Sequence, residues 1–124
     1  MTARLLIALM LIACALFVIG SELAMAAASG SEIRAAVSNN TIKGNRGASG
    51  QTEFYRSDGT IQGPGYTGKW SVEGDAMCFT YQATPKECWN ADINGSFIRW
   101  VKNGQVLGSG TIIRGNPESL GVRP

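Results

Sequence analysis

The chain contains no histidine. That removes the Ser-His and Cys-His pairs on which most nucleophilic catalysis rests. It also leaves any zinc site short of its usual nitrogen ligands. Charge is sparse: 16% of residues are charged, and eleven basic against nine acidic residues leave an excess of only two. No run of Lys or Arg concentrates that excess. The sequence therefore offers neither the basic footprint of a nucleic-acid binder nor a polybasic membrane patch. Cysteine is limited to three residues, Cys14, Cys78 and Cys88. No CxxC spacing or cationic neighbourhood marks a reactive thiol pair.

What is present begins with a segment for export. Leu5 to Gly20 is apolar throughout, preceded by Arg4 and ended by Ser21 and Glu22, and Ala24-Met25-Ala26 follows. This is the order of a secretory signal, with cleavage expected after Ala26. The run falls just short of the roughly 18 residues that span a bilayer, so an uncleaved membrane anchor is the alternative. A lipidation box around Leu11-Ile12-Ala13-Cys14 ranks lower, because apolar residues, not a polar tether, follow Cys14. Cleavage leaves residues 27–124, one domain with one modest core. It also leaves an even cysteine count, which in an oxidising compartment reads as a Cys78–Cys88 disulfide. The expected location is periplasmic or extracellular, with no membrane insertion after cleavage.

Residues 27–40 read as a linker and a short helix over Ser31–Ser38. Ser29 or Ser31 is its cap, and Asn39-Asn40 its stop. From 41 to 113 the signal is strands and turns. Strands are expected at Thr41–Arg46, Gln51–Ser57, Thr60–Gln62, Thr67–Glu73, Ala76–Gln82, Cys88–Ile93, Ser96–Lys102 and Gln105–Ile113. Asp58-Gly59, Asn94-Gly95 and Asn103-Gly104 suit type I′ hairpins, and Gly74-Asp75 suits type II′. Residues 114–124 read as an irregular tail. The fold class is all-β: an antiparallel up-and-down meander closing to a barrel, or failing that a two-layer sandwich.

Two-residue turns fix register. Glu73 facing Ala76 sets Trp70 opposite Phe79. Cys78 facing Cys88 sets Met77 opposite Trp89. Ile93 facing Ser96 sets Trp89 opposite Trp100, and Lys102 facing Gln105 sets Trp100 opposite Leu107. These registers agree in placing Trp70, Val72, Met77, Phe79, Tyr81, Trp89, Ala91, Ile93, Ile98, Trp100 and Leu107 on the inner face. The disulfide falls on the outer face.

No catalytic set emerges. Gly108-Ser109-Gly110 lacks the G-x-S-x-G form of a nucleophile elbow. Glu73, Asp75 and Asp92 read as solvated turn and surface residues. Neither metal nor cofactor is expected. Candidate ligand residues are Trp70, Trp89 and Trp100, if the barrel holds a cavity. Arg56 joins them: it shares a face with Phe54 and Ile61, and at the barrel mouth it would pair with a carboxylate or bind an anionic ligand. Phe97, Val101 and Val106 break the pattern on the outer face and form a candidate interaction surface.

Asn40-Thr41-Ile42-Lys43-Gly44, Tyr55-Arg56-Ser57-Asp58-Gly59-Thr60, Gly68-Lys69-Trp70 and the pair Cys78 and Cys88-Trp89 occur in that order. Over Thr41 to about Ile93 the order resembles small exported bacterial β-rich proteins of unknown function. That resemblance implies export and a β-domain, and no activity. The Gly-x-Trp piece followed by two cysteines is also similar to small barrel inhibitors of secreted metalloproteases, although the cysteines here stand closer together. The leading expectation is a non-enzymatic binding module whose partner is a protein or envelope component. A small-ligand barrel and a secreted-protease inhibitor are the alternatives.

Overall fold

A computed structural model describes residues 27–122. The expected signal segment, with Cys14, lies outside the described residues. The elements are α1 (Gly30–Val37) and eight strands: β1 (Asn40–Arg46), β2 (Ser49–Tyr55), β3 (Thr60–Gly63), β4 (Tyr66–Glu73), β5 (Ala76–Tyr81), β6 (Glu87–Asn94), β7 (Phe97–Lys102) and β8 (Gln105–Arg114). Each strand pairs antiparallel with the next, and β1 pairs with β8, so the meander closes into a barrel. Closure, not a sandwich, resolves the two architectures left open by the sequence.

The helix starts where Ser29 caps it, its Oγ accepting from the Glu32 N–H at 3.2 Å. Asn39, with φ 59°, turns the chain out of the helix and into β1. Ile33 and Val37, one turn apart, are fully buried in the barrel core. The Gly30 N–H donates to Asp75 Oδ1 at 2.9 Å, which fixes α1 against the β4–β5 turn. Gly30 is required there, because a Cβ would collide with the Gly74 carbonyl. The helix thus closes one end of the barrel. The β1–β2, β3–β4, β5–β6 and β7–β8 turns ring the opposite, open end.

The Cys78–Cys88 disulfide is present, with the two residues directly opposed on β5 and β6. The expected pairs Glu73–Ala76, Trp70–Phe79 and Met77–Trp89 are also seen. Two registers need correction. At β6–β7 the central turn residues are Gly95 and Ser96, with Gly95 at φ 58°, so Asn94 faces Phe97 and Ala91 faces Trp100. The slip is two residues, which changes partners but not faces. At β7–β8, Lys102 does face Gln105, but a bulge at Trp100/Val101 sets Trp100 opposite Gly108. Leu107 is therefore exposed instead of inward. Of the expected type I′ turns, Asn103-Gly104 has positive φ at both positions. Asp58 does not; its side chain instead accepts from the Thr60 N–H at 2.9 Å.

The core contains Tyr55, Ile61, Met77, Phe79, Ile98 and Trp100, with Trp70 and Trp89 nearly enclosed. Tyr55, Phe79 and Trp100 meet edge to face. β2 pairs with β1 along its whole length but with β3 only through Phe54 and Tyr55. The half of β2 that carries Gln51 and Glu53 thus borders the open end.

Candidate functional site at the open end

On β2 the inward residues are Gln51, Glu53 and Tyr55, all buried. Hydrophobicity alone favours the opposite face, that of Phe54 and Arg56. The structure corrects that parity: Phe54 is half-buried, and Arg56 is exposed, its guanidinium 3.5 Å from Asp58 on the surface. Arg56 belongs to the β2–β3 turn at the helix-closed end, where its carbonyl accepts from Trp70 Nε1 at 2.8 Å.

A different arginine occupies the barrel interior at the open end. Arg46 ends β1 opposite Ser49 of β2 and Gly108 of β8. Gly108 makes this possible, because a Cβ there would meet the Asn45 carbonyl. The Arg46 side chain is 13% exposed, and its Cζ lies 3.6 Å from the centroid of the Phe79 ring. Arg46 Nη2 donates to the Tyr81 hydroxyl at 2.8 Å, and that hydroxyl donates to Glu53 Oε2 at 2.6 Å. Glu53 Oε1 lies 3.9 Å from Arg46 Nη2, and the Glu53 side chain is 4% exposed. Below this relay, Gln51 donates to the Tyr55 hydroxyl at 2.5 Å and accepts from Trp100 Nε1 at 3.1 Å. The Tyr66 ring stands edge-on to Tyr81, 6.0 Å between centroids, at the rim.

Arg46 Nη1 is buried with no hydrogen-bond partner among the described residues. A buried unpaired donor costs about 1–3 kcal/mol, more when charged. Arg46 also lines a cavity of about 200 Å³, together with Ser49, Gln51, Glu53, Tyr66 and Tyr81. Larger hollows, of about 570 and 560 Å³, lie beside Tyr81, Gln82 and Thr67, but no carboxylate or arginine lines them.

Burial dominates the ionisation of this cluster. It pushes the Glu53 carboxyl up, while the Tyr81 hydrogen bond and Arg46 act to lower it. Burial alone would lower Arg46, but Tyr55, Tyr81 and Glu53 outweigh it and the guanidinium is held above its ordinary value. Burial, reinforced by the Glu53 charge, raises Tyr55 and Tyr81 well above the phenol range and pushes Tyr66 up to about 12. At neutral pH the site therefore presents one guanidinium and three neutral phenols to a carboxyl that protonates more readily than usual.

The other sequence candidates are not brought together. Trp70, Trp89 and Trp100 fill the core, and none of the three hollows just described is lined by them. Only Trp100 joins the polar cluster, through its indole N–H. Phe97 is exposed beside the β6–β7 turn at the helix-closed end, whereas Val101 is half-buried and pairs with the exposed Val106 near the open end. The three do not form one patch. Cys78 is buried and Cys88 half-buried, with Glu73 Oε2 3.5 Å from Cys88 Sγ. With both sulfurs bonded to each other, that grouping is a staple.

No protein-family model matches the chain, and comparisons with curated proteins and with solved structures likewise find no match.

Proposed function

We propose that the protein is an exported, non-enzymatic binding barrel whose open end takes a small carboxylate against Arg46. The observation that carries this reading is a buried guanidinium, one of its nitrogens unpaired, on a residue that lines a cavity. Guanidinium and carboxylate match in planar, forked geometry, and a desolvated pair of this kind is stronger than its surface counterpart. The cavity volume suits a small group, and the Tyr66 and Tyr81 hydroxyls supply further hydrogen bonds at its edge. Phe79 beneath the guanidinium holds it in place, its Cζ 3.6 Å from the ring centroid.

A binding role fits the residues better than catalysis does. Glu53 is the single carboxylate of the cluster, and the hydroxyl bonded to it, that of Tyr81, is also held by Arg46 and has its ionisation pushed far above neutral pH. Export rests on the order Arg4, Leu5–Gly20, Ala24-Met25-Ala26, and the disulfide is compatible with a periplasmic or extracellular location.

Calorimetric titration tests the reading, with acetate as the free acid anion and N-acetylglycylglycine as a peptide C-terminus. Saturable binding of either, abolished in Arg46→Gln, supports it. Binding of acetate alone identifies a metabolite-sized ligand; binding of the peptide with higher affinity identifies a chain terminus. Absence of both, or binding retained in folded Arg46→Gln, refutes it.

A further inference from the structure

We infer that the open-end site binds its carboxylate together with one proton, which Glu53 takes up. This rests on the carboxylate-binding reading above and specifies how the site balances its charge. The geometry supplies the argument. Arg46 already faces one carboxylate, with Glu53 Oε1 3.9 Å from Nη2. A second carboxylate at Arg46 would place two negative charges on one guanidinium, one of them on a Glu53 side chain that is itself buried, where the local dielectric is low and repulsion is strong.

Tyr81 provides the way out. In the empty site its oxygen accepts from Arg46 and its hydrogen points to Glu53. When a proton from solvent bonds to a Glu53 oxygen, the new Glu53 O–H donates to the Tyr81 oxygen. The Tyr81 hydrogen is then free to rotate toward the ligand. One O–H bond forms on Glu53, none breaks in the protein, and the incoming anion is neutralised by the proton that accompanies it. Tyr81 thus changes from a donor to Glu53 into a donor to the ligand.

The surroundings favour this outcome. The titratable groups around Glu53 are Arg46 from β1, Tyr55 from its own strand, Tyr66 from β4 and Tyr81 from β5. β7 and β8 bring Trp100 and Gly108 to this level, and β3 brings Gly63 against the Tyr66 ring. Glu87 of β6, opposite Phe79 in register, accepts from Trp89 Nε1 and lies 3.9 Å from Lys102 Nζ, and those contacts engage its carboxylate. Among the described residues Arg46 is the cation that acts on Glu53, and burial already biases Glu53 toward its protonated form.

The test is acetate titration of the intact mature protein at pH 7 in two buffers of different ionisation enthalpy. Acetate stays ionised throughout. The expected result is uptake approaching one proton per acetate, with affinity falling toward tenfold per pH unit above the Glu53 titration. Glu53→Gln should bind acetate with no proton uptake and little pH dependence. In the unmodified protein the Glu53 carboxyl carbon resonance should move to its protonated position as acetate is added, which gives a readout independent of the variant. Acetate binding without proton uptake overturns this inference and leaves the carboxylate reading intact. No acetate or peptide binding at all overturns both.

Discussion

The Arg46 guanidinium sits over the Phe79 ring, its Cζ 3.6 Å from the ring centroid. An arginine on an aromatic face inside an eight-stranded barrel replaces the apolar side chain that normally fills such a level. The contact is worth about 0.5–2 kcal/mol. That does not offset the cost of desolvating a charge, which is why Tyr81 and Glu53 must complete the cluster.

Removing Arg46 should therefore expose the cost of Glu53. Arg46→Met keeps much of the volume but leaves a buried carboxyl without its cation. We expect a loss of about 3 kcal/mol at pH 7, read from urea denaturation. The loss should shrink as pH falls. A carboxyl whose folded-state pKa lies above its unfolded value binds its proton more tightly when folded, so stability drops as pH rises through that interval and recovers below it. Adding Glu53→Gln to Arg46→Met should recover most of the lost stability. A double variant as unstable as the single one would contradict this account of the cluster.

All three tyrosines of the chain, Tyr55, Tyr66 and Tyr81, belong to this cluster. Absorbance near 295 nm should show none of them ionising near pH 10 while the protein is folded. The phenols have raised folded-state values, so their contribution to stability is complete below pH 10 and lost as pH rises beyond it. Tyrosinate should then appear together with alkaline unfolding. A reversible titration of Tyr55 or Tyr81 near pH 10 in folded protein would be inconsistent with their place in the cluster.

The Cys78–Cys88 bond closes a short loop across one β-hairpin. Loop-entropy arithmetic gives roughly 2–3 kcal/mol. The Cys78→Ser/Cys88→Ser double variant should unfold at lower urea by that amount and still bind acetate, since the staple is not part of the cavity. The mature oxidised protein should weigh two protons less than its reduced form. Two free thiols in protein recovered from the periplasm or medium would contradict the staple.

Much of the fold was legible because turn chemistry and strand period act locally. Asn103-Gly104 and Gly74-Asp75 marked hairpins, and Cys78 opposite Cys88 fixed the centre of the sheet. The β6–β7 turn shifted by one position at each end, yet parity carried Trp100 inward all the same. Leu107 turned outward because a bulge is a departure from the period itself. The site was not legible for a different reason. The rule of apolar inside and polar outside reads one strand at a time, and on β2 it favoured Phe54. Gln51, Glu53 and Tyr55 go inside because Arg46, Tyr81 and Trp100 satisfy them from β1, β5 and β7. The alternation Gln51-x-Glu53-x-Tyr55 was the available signal, but its partners lie up to 49 residues away. Arg56, chosen as the mouth arginine, lies at the helix-closed end of the barrel.

The indole N–H resonances offer the most direct test of the carboxylate site. Trp100 Nε1 bonds to Gln51 within the cluster, whereas Trp70 Nε1 bonds to the Arg56 carbonyl at the other end. Acetate titration followed by nitrogen–proton correlation spectra should shift the Trp100 indole signal saturably and leave that of Trp70 in place, with no shift in Arg46→Gln. Equal shifts of both signals, or a Trp100 signal that never moves, would contradict a carboxylate site at Arg46.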